Sequence, residues 1–327
     1  MIDLHLHLDG SLSLDSVKKI AKINGFDLSQ EDREILALMQ VSENCRDLND
    51  YLDKFDFAVS LLQTEDCLRT AAYDLCKTLK EQGLIYAEIR FAPQKHTDKG
   101  VSQQKAVKAV LDGIHESEFP CGLILCCMRG DNNREENLLT VKVAKEFCEK
   151  GVCAVDLAGA EALFATENFE EIFSEARKLD IPFTIHAGEA DGPQSIKKAI
   201  EFGAKRIGHG VRATEDKEII DLLVKTQIPL EVCVKSNIDT CIFEIVESHS
   251  IKKLIDDGVN VTVNTDNMTV SAVTLKDEFK SIKKAFDLTD NDVKKLMMNA
   301  VNAAFLSDSE KETMKKKAEI NFKEFLL

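Results

Sequence analysis

The chain has no tryptophan, and aromatic residues make up only 6% of it, too few for an aromatic-rich binding surface. Its ten cysteines include no Cys-x-x-Cys pair, and several lie inside apolar runs such as Leu123-Ile-Leu-Cys126-Cys127. That pattern argues for small buried thiols in a reducing cytosol rather than a disulfide framework. No apolar run approaches the length of a membrane span, and Met1-Ile-Asp-Leu-His5 has neither the basic nor the apolar region of a secretion signal. These absences predict a cytoplasmic, soluble protein without a membrane partner. Positive charge is also short: 42 Lys and Arg against 57 Asp and Glu leave a formal charge of −15. Phosphate binding needs a clustered excess of Lys and Arg, so nucleic acid is excluded as a partner and a small neutral or cationic ligand is favoured. Linkers rich in Pro, Gly or Ser are missing too, and nothing divides residues 1–327, which are read as one domain with one large core.

Residues 2 to 9, Ile-Asp-Leu-His-Leu-His-Leu-Asp, alternate between apolar and polar side chains. As a strand they place Ile2, Leu4, Leu6 and Leu8 on one face and Asp3, His5, His7 and Asp9 on the other. Taken alone, the run also reads as an edge strand with a solvated face. A long helical interval follows, from Ser11 to about Lys80. In it Leu48, Leu52, Phe55 and Val59 recur at helical spacing. Such a stripe reads as core or, over a pocket, as an apolar lid built on Leu52 and Phe55.

A regular rhythm then begins. Strands are predicted at 84–91, 122–128, 152–157, 181–186, 206–209, 230–234 and 259–264. Helices are predicted between them: Ser102 (as cap) to His115, 133–149, 169–179, from Ser195, from Asp216, and 244–257. With the first strand this makes eight βα units, which fits a closed (β/α)8 TIM barrel better than a doubly wound sheet. The expected fold is therefore α/β, with a helical insertion between strands 1 and 2 and a helical, charged C-terminal tail from Leu288.

Such a barrel builds its site from the C-terminal ends of its strands. Strand 1 ends in His5, His7 and Asp9, strand 5 in His186 and Glu189, strand 6 in His209, and strand 8 in Asp266 and Asn267. Alone, His186-Ala-Gly-Glu189 reads as a strand ending in a polar loop, but four of the seven histidines share these ends. The other three, His96, His115 and His249, are read as surface residues. On strand 8, alternation turns Val259, Val261 and Val263 outward and leaves Thr262, Asn264 and Asp266 inside. Three imidazoles and one carboxylate suit a divalent first-row ion, zinc above all, with a position left for water. Such an ion lowers the pKa of its water to about 7. Strand 4 ends in Asp156-Leu-Ala-Gly159, without the lysine that often bridges a second metal, so one ion per chain is expected.

The motifs His5-Leu-His7-Leu-Asp9-Gly10, Asp156-Leu-Ala-Gly159, His186-Ala-Gly-Glu189, Arg206-Ile-Gly-His209-Gly210 and Asn264-Thr-Asp266 resemble those of the adenosine deaminase family in order and spacing. The resemblance extends to Asn299-Ala300 and Phe305-Leu306 and so covers essentially the whole chain. It implies hydrolytic deamination of adenosine and 2′-deoxyadenosine to the inosine products and ammonia. It also implies His5, His7, His186 and Asp266 as zinc ligands, with Asp266 taking a proton from the attacking water. Glu189 would protonate purine N1, and His209 would orient the nucleophile. The Gly159 N–H would meet N3, and Asp9 would accept from the ribose 5′-hydroxyl. His7 and Phe55 would border the substrate.

The chain departs from the family pattern at Asn267, where many members have aspartate. Its amide can still donate to purine N7. Ala160 replaces a common acidic residue, and Val234-Lys235 lack a proline often found before Ser236-Asn237. The nearest rival is a deaminase of another 6-aminopurine: free adenine, AMP or a modified adenosine. Asp9 speaks against the free base, because free-base deaminases tend to carry Glu there. Further rivals are an ester or amide hydrolase and a catalytically silent barrel acting as a binding protein.

Overall fold

The computed structural model describes residues 1–25, 28, 31–42 and 44–325. Among them are eight strands: β1 (Ile2–His7), β2 (Tyr86–Phe91), β3 (Cys121–Met128), β4 (Val152–Ala158), β5 (Thr184–Ala187), β6 (Arg206–His209), β7 (Leu230–Val232) and β8 (Val261–Val263). Each pairs in parallel with the next, β1 to β4 in one run and β5 to β8 in another. Two parallel bridges, Val155 with Phe183 and Leu6 with Asp266, join the runs at both sides. The sheet therefore closes into a (β/α)8 barrel, which excludes the doubly wound alternative. Nearly every strand residue is buried, as a parallel sheet ringed by helices requires.

The interval between β1 and β2 holds α1 (Leu14–Ile23), α2 (Asp32–Met39), α3 (Leu48–Leu52), α4 (Phe55–Leu61) and α5 (Glu65–Glu81). The barrel helices follow: α6 (Gln103–Ser117), α7 (Arg134–Phe147), α8 (Glu170–Lys178), α9 (Pro193–Phe202), α10 (Lys217–Thr226), α11 (Val234–Asp239), α12 (Ile251–Asp256) and α13 (Leu275–Ala285). The tail forms α14 (Asp290–Ala303) and α15 (Asp308–Phe325). Hydroxyl and carboxylate caps start these helices as their sequences require: Ser13, Thr64, Ser102 and Asp216 each accept a backbone N–H of the first turn. No helix among the described residues is long and apolar enough to cross a membrane. The predicted helical stretch Ser11 to Lys80 and the tail include residues 26, 27, 29, 30, 43, 326 and 327, which lie outside the described residues.

Several expectations need correction. The stripe from Leu48 to Val59 is two helices, α3 and α4, broken at Asp53-Lys54. Asp9 lies past the end of β1, in a 3-10 turn over Asp9–Ser11. Chain predicted as strand after Val232 turns at once into α11, and the predicted 244–257 helix begins only at Ile251 after a 3-10 turn. His96 and His249 are buried, while His115 is exposed as expected. His96 is held inside because Nδ1 bonds the Leu62 carbonyl at 2.9 Å and its ring packs on Phe91.

Candidate active site

The seam that closes the barrel also gathers the site. The Asp266 N–H donates to the His5 carbonyl, and the His7 N–H donates to the Asp266 carbonyl, each at 2.8 Å. Asp266 has φ 61° and His209 φ 59°, left-handed conformations that cost on the order of 1–3 kcal/mol for a non-glycine and concentrate at functional sites. Gly208 makes room beside them: a Cβ there would lie 3.1 Å from His5 Cε1 and 3.0 Å from His186 Cα.

His5 Nε2 lies 3.4 Å and His7 Nε2 3.3 Å from Asp266 Oδ1, and His7 Nε2 lies 3.3 Å from His186 Nε2. His209 is close as well: ligand atoms of His5, His186, His209 and Asp266 fall within 4.8 Å of one another. His5 Nε2 and Asp266 Oδ1 are buried, face each other, and have no hydrogen-bond partner. Orphaned lone pairs from imidazole and carboxylate fit a first-row divalent ion.

The opposite ring nitrogens are engaged. His5 Nδ1 lies 2.8 Å from Glu231 Oε2, and His186 Nδ1 lies 2.9 Å from Asp156 Oδ2, which fixes both tautomers and leaves each Nε2 free. Arg90 ties the two dyads together, donating to Asp156 at 2.8 Å and to Glu231 at 2.9 Å, and Arg206 adds a second cation on Glu231. Burial alone would raise both carboxyls; the His186 imidazole and Arg90 hold Asp156 well below its ordinary range, and Arg90 and Arg206 do the same for Glu231.

Glu189 stands across from this cluster. Burial, then the charges of Asp266 and Glu161, push its carboxyl well above the ordinary range. A chain of polar groups orients it. The Ile251 N–H donates to His249 Nδ1 at 3.0 Å, so the neutral ring carries its proton on Nε2, 3.3 Å from Asn237 Oδ1. Burial keeps His249 neutral, with its pKa lowered to about 3. The Asn237 amide nitrogen then donates toward Glu189 Oε1 at 3.3 Å and His209 Nδ1 at 3.1 Å. His209, whose pKa burial also lowers, is left with its proton on Nε2, 3.5 Å from Glu189 Oε2.

A cavity of about 680 Å³ opens onto these groups, lined among others by His7, Asp9, Phe55, Gly159, His186, Glu189, His209, Asp266 and Asn267. Leu52 and Phe55 border it as a lid would, with the Phe55 ring edge-on to His7. Asp9 Oδ1 is buried without a partner, and burial raises its pKa to about 6. Gly159 has φ 107°, which disfavours any side chain there. The Asn267 side chain packs on Gly10, where a Cβ would come within 2.0 Å of Oδ1.

Residues 1–319 match the family model for adenosine deaminase. An adenosine deaminase of Haemophilus ducreyi is 45% identical over 323 residues, covering 96% of this chain and 94% of that protein. The chain belongs to the adenosine deaminase family. Another adenosine deaminase, from Enterococcus faecalis, is 38% identical over 97% of this chain and 95% of its own. Among solved structures, an adenine deaminase of Arthrobacter aurescens has a TM-score of 0.88 at 26% identity, covering 97% of both chains. The Arabidopsis N6-mAMP deaminase shares the fold, with a TM-score of 0.86 at 23% identity over 97% of both chains.

All the residues expected at a deaminase site converge here, with His5 behind the cavity wall and the rest along it. Sequence reasoning missed Arg90, Asp156 as partner of His186, Glu231, Ser236, Asn237 and His249. Two carried a signal: Arg90 and Glu231 are charged residues within apolar strands, and a charge in a strand buried on both faces must be paired.

Proposed function

We propose that this chain deaminates adenosine and 2′-deoxyadenosine: water adds at C6, ammonia leaves, and the inosine products form. The observation that carries this reading is Glu189, a buried carboxyl of raised proton affinity facing the cavity opposite the imidazole cluster. His5, His7, His186 and Asp266 are the residues that would hold one zinc ion, which when bound supplies a water acidified to a pKa of about 7.

Glu189 enters the reaction protonated and gives its proton to purine N1 as C6 is attacked. Asn237 fixes one oxygen of that carboxyl, and the lid excludes competing water. Ser236 Oγ donates to Asp266 Oδ2 at 2.6 Å, leaving Oδ1 to accept the nucleophile's proton. With Nδ1 accepting from Asn237 and its proton on Nε2, His209 has no free lone pair for a metal and serves to orient the nucleophile. Gly159 offers its N–H to N3, Asn267 an amide proton to N7, and the unpartnered Asp9 oxygen accepts from the 5′-hydroxyl.

The rim favours a nucleoside over a nucleotide. Asp9, Asp53, Asp56 and Asp98 line the cavity against two cations, Lys95 and Arg129, and a 5′-phosphate would meet more negative than positive charge there. We read residues 1–327 as one catalytic domain working in the cytoplasm on a small purine nucleoside. Initial rates with adenosine, deoxyadenosine, adenine and AMP, alongside metal analysis, test the assignment. Turnover of both nucleosides with one zinc per chain is expected; preference for AMP or adenine overturns the substrate assignment.

A further inference from the structure

The turn that presents Glu189 is held by a side chain from a different loop. Glu161, just beyond β4, is 2% exposed and does not line the cavity. Its carboxylate accepts five hydrogen bonds: at Oε1 from the Gly188 N–H (2.7 Å) and the Ser195 hydroxyl (2.6 Å), and at Oε2 from the N–H groups of Glu189 (3.0 Å), Ala190 (2.8 Å) and Asp191 (3.0 Å). Successive N–H groups converging on one point form an anion-binding nest. Here the anion belongs to the same chain.

The turn does not support itself. Gly188 has φ 72°, and a Cβ there would meet Ile196 Cδ1 at 2.4 Å. Arg212 holds the carbonyl side, its N–H on Gly188 O at 3.0 Å and its guanidinium on Ala190 O at 3.1 Å, while Glu161 satisfies the N–H side. Behind Glu161, Ser195 Oγ meets Thr166 Oγ1 at 2.7 Å; Arg129 donates to that Thr166 oxygen at 2.9 Å and to the His186 carbonyl at 2.6 Å. One network thus grips both ends of the segment from His186 to Asp191.

We infer that Glu161 is a positioning residue for the proton transfer, fixing the 188–191 turn so that the Glu189 carboxyl meets the ring nitrogen. The inference rests on the reading of Glu189 as proton donor. A glutamine of the same size has one acceptor oxygen and turns an NH2 toward donors, so one half of the grip is lost. Misplacement by about 1 Å costs roughly 10²-fold in rate.

The test is steady-state kinetics on the metal-loaded Glu161→Gln, Ser195→Ala and Glu189→Gln enzymes, with metal content and thermal melting measured on each. Expected for Glu161→Gln is a kcat fall of about 10- to 100-fold, a KM for adenosine within about threefold of wild type, and an unchanged metal content. Ser195→Ala removes one of the five donors and should lower kcat by a smaller factor with the same split; it decides the matter if Glu161→Gln does not fold. Wild-type kcat in Glu161→Gln, or in Ser195→Ala where Glu161→Gln does not fold, overturns the inference, as does a kcat loss in a folded variant matched by loss of metal. If Glu189→Gln keeps its rate, the proton-donor reading falls and this inference with it. If Glu189→Gln loses its activity while Glu161→Gln and Ser195→Ala keep wild-type kcat, this inference alone fails.

Discussion

The backbone N–H of Asp266 donates to the carbonyl of His5 at 2.8 Å, while the side chains of the same two residues face each other at 3.4 Å. Closing the barrel and assembling the histidine–aspartate cluster are therefore one structural event. Asp266→Asn separates backbone from side chain, because asparagine tolerates the left-handed φ of 61° that this position requires. The variant should keep a native circular dichroism spectrum, lose bound metal, and deaminate adenosine about 10²- to 10⁴-fold more slowly. A metal-loaded, active variant would contradict the role of Oδ1.

Arg90 bridges the carboxylates behind two different imidazoles. Arg90→Met leaves two buried carboxylates short of a cation, which should cost about 3–5 kcal/mol in denaturant melts. It should also weaken metal binding by about 10- to 100-fold in chelator competition, through disordered His5 and His186 rings. Lysine cannot replace the forked guanidinium, so Arg90→Lys should recover little of either loss.

Asn237 is the joint between His249, His209 and Glu189. Asn237→Ala removes one donor from the Glu189 carboxyl, an effect of about 1–3 kcal/mol that predicts a kcat fall of roughly 5- to 160-fold. Metal analysis should still find the ion, since Asn237 touches none of the proposed ligands. His249→Phe should act in the same direction but more weakly.

Glu278, on α13, gives a stability prediction away from the chemistry. It is buried, one oxygen accepting the Lys235 N–H at 2.9 Å and the other without a partner. Burial, reinforced by Asp3, raises its pKa from the ordinary 4.5 to about 8. Between those values the folded chain holds a proton that the unfolded chain has released, so this group's contribution is full below pH 4.5 and is lost as pH rises through 8. Glu278→Gln should flatten that decline, giving a higher Tm than wild type at pH 9 and a similar one at pH 5. Parallel Tm profiles would refute it.

The eight alternating strand and helix stretches are enough to read the barrel, and the alternation of residues 2 to 9 with the histidines at strand ends is enough to read the cluster, because strand geometry turns local spacing into a shared inner face. What lay beyond reach depends on distant loops meeting. Nothing near Glu161 in the chain announces that it will cap a turn 27 to 30 residues further on. Ser236 and Asn237 reach the site because β7 ends at Val232 and the chain passes into a short helix, a break that the apolar run through Val234 does not signal. The helix-and-loop context of His249 reads as surface, whereas its ring is packed on Phe243 with both nitrogens bonded.

The central claim is that Glu189 supplies the proton while the ion is held by other residues. It is tested most directly by measuring inosine formation and metal content together in Glu189→Gln. The account predicts one ion per chain, as in wild type, with adenosine turnover lowered about 10²- to 10⁴-fold. A variant with its metal intact and wild-type turnover would contradict it.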